Sequence, residues 1–190
     1  MTQIKIAVAG STGRMGRTLI EGVLASGDLK LSAALEVSGS QHVGNDAGEL
    51  VGARCGVKIA TDVTSALSGS DVLIDFTRPE GTLVHLEACR KLGVKMVIGT
   101  TGFGDAQKKT IAEAASAIAI VFAPNMAVGV NVTFKLAEVA AAILGDEYDV
   151  EIIEAHHRHK VDAPSGTALK LGEIVARALG RDLAKTAVHG

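Results

Sequence analysis

Apolar and polar positions alternate between two rhythms along this chain. Residues 4–10, IKIAVAG, form a short continuous apolar run, the pattern of a buried strand. Over 16–26 the apolar residues Leu19, Ile20, Val23 and Leu24 recur at helical spacing. Residues 29–36 read as a second strand, 37–56 as a loop rich in Gly, Ser and Asn, and 57–61 and 70–77 as further strands. A helix is predicted over 79–93, with Pro79 near its start and Gly93 as its stop. A strand over 94–101 then leads to a helix over 105–117, for which Asp105 is the predicted N-cap. A strand over 118–125 precedes a long helix over 128–144, with Val132, Leu136, Val139 and Ile143 on one face. The last predicted pair is a strand over 148–157 and a helix over 165–180, with Ser165 as its N-cap.

Strands that alternate with helices predict βαβ units: an α/β fold with a Rossmann-type, doubly wound parallel sheet and right-handed crossovers. Ligands of such sheets sit beyond the carboxyl ends of the strands. The loops at 10–16, 36–37, 77–81, 99–104, 123–127 and 156–167 are therefore the places to look for chemistry. Composition agrees with this class. Hydrophobic residues are 47% of 190 and aromatics 3%, with no Trp, so the core is aliphatic. The net charge of −2 argues against an electrostatic grip on nucleic acid or an anionic membrane. Cys55 and Cys89 make no disulfide framework, the usage of a reduced cytoplasmic protein. The first ten residues are too short an apolar run for a signal or a membrane span.

The first loop, VAGSTGRMG, places Gly10, Gly13 and Gly16 between a strand and a helix. Glycine lets the backbone approach a ligand, and a helix N-terminus offers free N–H groups to a pyrophosphate. The spacing is GxxGxxG rather than GxGxxG, so context carries the assignment. That context includes Glu36, an acid at the end of the second strand and an acceptor for an adenosine ribose. Val37 follows it and has no charge to pair with a 2′-phosphate, while Arg14 and Arg17 lie nearby. This pattern leans to NADH over NADPH. Two more strand ends, DFTRPEG (75–81) and VIGTTGF (97–103), carry Thr and Gly where a nicotinamide and its ribose would lie, and FAPNMAVGVN (122–131) adds Asn125.

EAHHRHKVDAPSGTA, residues 154–168, concentrates titratable nitrogen before a helix start. His and Lys are proton donors that work near neutral pH. The first turn after Ser165 would present the N–H groups of Gly166 and Thr167 to an anion. Together they point to protonation coupled to hydride transfer on a small carboxylate. A metal site is the less favoured reading, because no cysteine or carboxylate set accompanies the histidines at ligand spacing.

VAGSTGRMGR, DFTRPEGT, VIGTTGF and EIIEAHHRHKVDAPSGTA together resemble the dihydrodipicolinate reductase (4-hydroxy-tetrahydrodipicolinate reductase) family, across essentially the whole chain. The resemblance implies a cytoplasmic, homotetrameric enzyme of lysine/diaminopimelate biosynthesis. It reduces a cyclic dicarboxylate with NADH or NADPH and needs neither metal, nucleic acid nor membrane. It implies a dinucleotide-binding domain over 1–126 and a smaller α+β substrate domain over 127–190. By motif, Gly10, Ser11, Thr12, Gly13, Arg14, Met15 and Glu36 would hold the adenosine and pyrophosphate. Gly99, Thr100, Thr101, Ala123, Pro124, Asn125 and Met126 would lie by the nicotinamide. His156 and Lys160 would be the catalytic proton donors, while His157, Gly166 and Thr167 would bind substrate. Two departures stand out: many relatives carry a basic residue where this chain has Val37, and family members continue past Gly190, so the substrate domain is expected to be incomplete. The rival readings are a dinucleotide-binding module without catalysis, and an oxidoreductase of another small carboxylate. A thiolate-dependent semialdehyde enzyme is disfavoured because Cys89 falls inside a predicted helix.

Overall fold

The computed structural model describes residues 2–158 and 163–188. The chain divides into two compact units, Met1–Ala123 and Pro124–Gly190. In the first, six parallel strands form one sheet: β1 (Ile4–Ala9), β2 (Leu29–Leu35), β3 (Ile59–Ala60), β4 (Val72–Asp75), β5 (Lys95–Ile98) and β6 (Ile120–Phe122). Their order, β3-β2-β1-β4-β5-β6, is that of a dinucleotide-binding sheet, with its topological switch point between β1 and β4. The helices of this unit are α1 (Arg14–Ala25), α2 (Val63–Leu67), α3 (Pro79–Leu92) and α4 (Asp105–Ala114).

Alternation along the strands separates two cores. Ile6 and Val8 of β1 face Ile20 and Val23 of α1, whereas Ala7 and Ala9 face the cluster of Leu67, Leu86, Cys89 and Ile111. The β1–β2 register shifts between Ile6 and Ala7, so Ser32 has no partner in the ladder. Its hydroxyl pairs instead with that of Ser70 at 2.8 Å. α3 starts on Pro79 and stops at Gly93, whose φ of 72° no β-branched residue would hold comfortably.

Some elements differ from the pattern-based expectation. The N-cap of α4 is Gly104, not Asp105; the Gln107 carboxamide oxygen reaches back to accept the Gly104 N–H at 2.9 Å. α2 lies where no helix was expected, started by Asp62, whose carboxylate accepts the Ser65 N–H. The 37–56 loop contains a 3-10 turn over Ala47–Val51. It is gathered by Asp46, which accepts from the N–H groups of Gly48, Cys55 and Gly56 and from the Cys55 thiol. Those bonds, the thiol's first, hold Asp46 at a pKa of about 2.

The second unit contains α5 (Val128–Leu144), α6 (Gly166–Ala178) and α7 (Leu183–Thr186). α5 buries Phe134 and Ala141, while Val132, Leu136, Val139 and Ile143 are exposed. By length and composition α5 and the turn after it would also pass as a membrane span. The Lys135–Glu138 ion pair, at 2.9 Å, lies within that stretch. The strand expected over 148–157 is not formed. This segment is exposed and has no β-ladder among the described residues, and Ile153 is 91% exposed. A strand pattern becomes a strand only where a neighbour supplies the ladder.

Candidate functional site

The turn from β1 to α1 is built for close approach. Gly10 holds a φ of +66°, and a Cβ there would meet Thr77 Cγ2 at 3.0 Å. A Cβ on Gly16 would lie 2.8 Å from both Cα and C of Ser11 and nearer still to the Gly10 carbonyl oxygen, so the first turn of α1 packs directly on the loop. The α1 N-cap is Gly13, which has no side chain to close over the first-turn N–H groups. The Ser11 hydroxyl is buried with no partner among the described residues. Free helix N–H groups, a glycine-bared surface and an unpaired hydroxyl fit the pyrophosphate of a dinucleotide.

Glu36, just past β2, is tied to this loop. One carboxylate oxygen accepts the Thr12 N–H at 3.1 Å and the Thr12 hydroxyl at 2.7 Å, and the other accepts the Val37 N–H at 2.9 Å. Val37 itself is 72% exposed. Arg17 donates through Nε to the Thr12 carbonyl at 2.9 Å, which holds its head beside the loop; Arg14 and Met15 are exposed on the first turn of α1.

The loops after β4 and β5 meet on Asp75, the last residue of β4, which is completely buried. Its Oδ1 accepts from the Thr77 N–H at 2.9 Å and the Thr77 hydroxyl at 2.7 Å, with the hydroxyls of Thr82 and Thr100 at 3.2 and 3.3 Å. Its Oδ2 pairs with His85 Nδ1 at 2.7 Å. Burial pushes the Asp75 pKa up, but the His85 hydrogen bond and charge and the Thr77 donors outweigh it and hold the carboxyl below its usual range. Gly99 lies under the Phe76 ring, where a Cβ would come within 2.5 Å of Cδ1. Thr100 is buried with its hydroxyl turned to Asp75, while Thr101 is exposed. Of the candidate cofactor residues, those from Gly10 to Met15, with Glu36, Gly99, Thr100, Thr101 and Ala123, lie in the first unit; Pro124, Asn125 and Met126 lie in the second.

In the second unit, Asn125 Nδ2 reaches Thr167 Oγ1 at 3.5 Å, and its Oδ1 accepts the Ala127 N–H at 2.9 Å as the chain enters α5. The start of α6 is capped as expected: the buried Ser165 hydroxyl accepts the Ala168 N–H at 3.1 Å, leaving Gly166 and Thr167 in the first turn. Glu154 connects this cap to His156. Its Oε1 accepts the Ser165 N–H at 2.8 Å, and its Oε2 lies 3.6 Å from His156 Nδ1. His156 and His157 both sit on exposed chain. Lys160, expected as a proton donor, lies outside the described residues.

Two family models match the chain: dihydrodipicolinate reductase N-terminus over residues 4–126 and dihydrodipicolinate reductase C-terminus over residues 129–189. The chain belongs to the dihydrodipicolinate reductase family. It is 62% identical over 189 residues to the 4-hydroxy-tetrahydrodipicolinate reductase of Nitrosospira multiformis, covering 100% of this chain and 70% of that one. It is 63% identical over 190 residues to the enzyme of the same name from Nitrosomonas europaea, covering 100% of this chain and 71% of that one. Among solved structures it is similar to the dipicolinate-bound dihydrodipicolinate reductase from Paenisporosarcina sp. TG-14, with a TM-score of 0.74 and 32% identity over 93% of this chain and 67% of that one.

Sequence reasoning missed the Asp75–His85 pair in this reductase-family chain, along with the threonine hydroxyls around it. The available signal was an acid closing an otherwise apolar strand, VLID, in a loop already marked for its Thr and Gly. It missed Glu154 as the link between His156 and the α6 cap as well, because no regular spacing relates these residues along the chain.

Proposed function

We propose that this protein reduces 4-hydroxy-tetrahydrodipicolinate to tetrahydrodipicolinate in lysine/diaminopimelate biosynthesis, with a nicotinamide dinucleotide as reductant. The observation that carries this reading is the 62% identity, along the whole chain, to a reductase of that name. The β1–α1 cradle supports the cofactor half. When bound, the nicotinamide supplies a hydride; a proton is also taken up, and the ring hydroxyl leaves as water. The chain's own residues bind, orient and protonate. The first turn of α1 and Ser11 hold the pyrophosphate, Glu36 accepts from the adenosine ribose, and the loop at Gly99–Thr101 seats the nicotinamide. NADH is the preferred cofactor: a 2′-phosphate would meet the Glu36 carboxylate, and Val37 offers it no cation. Residues 1–126 act as the dinucleotide domain and 127–190 as the substrate domain.

The first-turn N–H groups of α6, at Gly166 and Thr167, receive a substrate carboxylate, and His157 contacts the substrate. His156, held by Glu154, and Lys160 deliver the proton. The assembly is a cytoplasmic homotetramer, as the family resemblance implies. The test is substrate-dependent NADH oxidation by the parent and by Lys160→Ala. Turnover should fall at least about a hundredfold in the variant, the scale of general acid catalysis, with NADH affinity retained. Equal turnover in both would remove Lys160 from the mechanism.

One observation favours a second reading, dinucleotide binding without turnover: the segment carrying His156 and His157 is exposed and forms no strand among the described residues. NADH binding with no substrate-dependent oxidation would select it.

A further inference from the structure

We infer that Asp75 and His85 are a positioning pair for the nicotinamide half of the dinucleotide, acting through the loops after β1, β4 and β5. The inference rests on the dinucleotide-binding reading of the first unit and adds two residues to it. Asp75 is in register with Ala9 of β1 and with Ile98 of β5, which places it beside the switch point where such sheets bind their ligands.

A fully buried carboxylate there is destabilising unless donors surround it. None of the side-chain donors comes from the sheet. Thr77 belongs to the loop after β4, His85 to α3, and Thr100 to the loop after β5. The bonds also have a consistent direction. The Thr82 hydroxyl donates to that of Thr100 at 2.9 Å, and Thr100 also accepts the Thr77 N–H at 2.9 Å, so its own proton is left to point at Asp75. Because a carboxylate only accepts, His85 must carry its proton on Nδ1. The His85 side chain is 13% exposed, so it serves the pair from the core side.

The pair fixes more than itself. Residues adjoining Asp75 touch both halves of the cofactor seat: Thr77 Cγ2 stands where a Cβ of Gly10 would need room, and the Phe76 ring covers Gly99. One carboxylate thereby sets the spacing between the pyrophosphate turn and the Gly99–Thr101 loop. Glu36 and the first turn of α1 hold the adenosine end by separate bonds that do not pass through Asp75.

This separation gives the test. NADH and ADP-ribose, which lacks only the nicotinamide, are titrated calorimetrically into the full chain and into His85→Leu and His85→Asn. Removing a charge-assisted hydrogen bond should weaken NADH about tenfold or more in His85→Leu, with ADP-ribose affinity unchanged. Asn keeps an N–H donor near the Nδ1 position and should restore NADH binding. Should His85→Leu fail to fold, Thr82→Val and Thr82→Ser replace it, because the Thr82 hydroxyl orients the Thr100 proton toward Asp75; Val should weaken NADH alone and Ser preserve it. Equal weakening of both ligands, or of neither, overturns the positioning role. A parent chain that binds neither ligand overturns the dinucleotide reading itself, and this inference with it.

Discussion

Two glycines on one helix should respond to alanine with opposite signs. Gly16 and Gly22 both lie in α1, and alanine at an open helix position stabilises by about 0.5–1 kcal/mol. At Gly22 a Cβ meets nothing within 4 Å, so the full gain is expected. At Gly16 the added carbon would lie 2.8 Å from two backbone atoms of Ser11, about 0.7 Å inside an ordinary carbon–carbon contact of ~3.5 Å. Backbone cannot rotate away as a side chain would. The first turn of α1 must move outward instead, against an overpacking cost of about 1–3 kcal/mol or more. The net expectation for Gly16→Ala is a loss of about 1–2 kcal/mol. The same displacement carries the first-turn N–H groups from ~2.9 Å to beyond ~3.5 Å of a bound phosphate oxygen, so NADH affinity should fall about tenfold or more. Urea unfolding followed by circular dichroism gives the first quantity and calorimetric titration the second, with Gly22→Ala as the matched control. A Gly16→Ala chain as stable as the parent, with unchanged affinity, would refute the claim that this packing shapes the cradle.

Asp75 should impose an acid sensitivity. Its folded pKa is depressed, so its stabilising contribution is present above the unfolded value near ~3.9 and is lost as pH falls through the folded value. Urea midpoints measured down the acid range should therefore fall less steeply in Asp75→Asn than in the parent, and parallel slopes would contradict this. Both thiols should resist alkylation in the folded chain. Burial and the Asp75 charge push Cys89 up to about 12, and burial above all raises Cys55, so mass spectrometry should show modification only after denaturation. Ser165→Ala should destabilise the second unit by about 1 kcal/mol through loss of the α6 cap, whereas Ser165→Asp should retain most of it; thermal unfolding checks both.

The sheet and its first loop were legible because each rests on local patterns. A continuous apolar run ending in glycine, followed by helical spacing and an acid at the next strand end, leaves few alternatives to a dinucleotide cradle. The Ser165 cap was legible for the same reason. The segment over 148–157 misled because alternation records which face a strand would bury, not whether a neighbour is there to pair with it. The row Val132, Leu136, Val139 and Ile143 was read correctly as one face, but the buried side of α5 carries Phe134 and Ala141. Gly104 displaced Asp105 as a cap because Gln107 could close the turn from within the helix. The Asp75 hub was hidden for a different reason. Its side-chain donors are Thr77, His85 and Thr100, and only the β4–β5 pairing brings the last of them within reach.

The strand order has a consequence for how the chain is made. β1 ends at Ala9, and its second neighbour, β4, begins at Val72. A ribosome working at ~5–20 residues per second needs about 3–13 s to cover that interval. Throughout it, β2 can seal one side of β1 while the other side stays an open edge of apolar backbone, the kind that captures foreign strands. The eventual centre of the sheet is thus its most adhesive rim during synthesis, and anything that slows elongation between Ser11 and Asp71 lengthens that exposure in proportion.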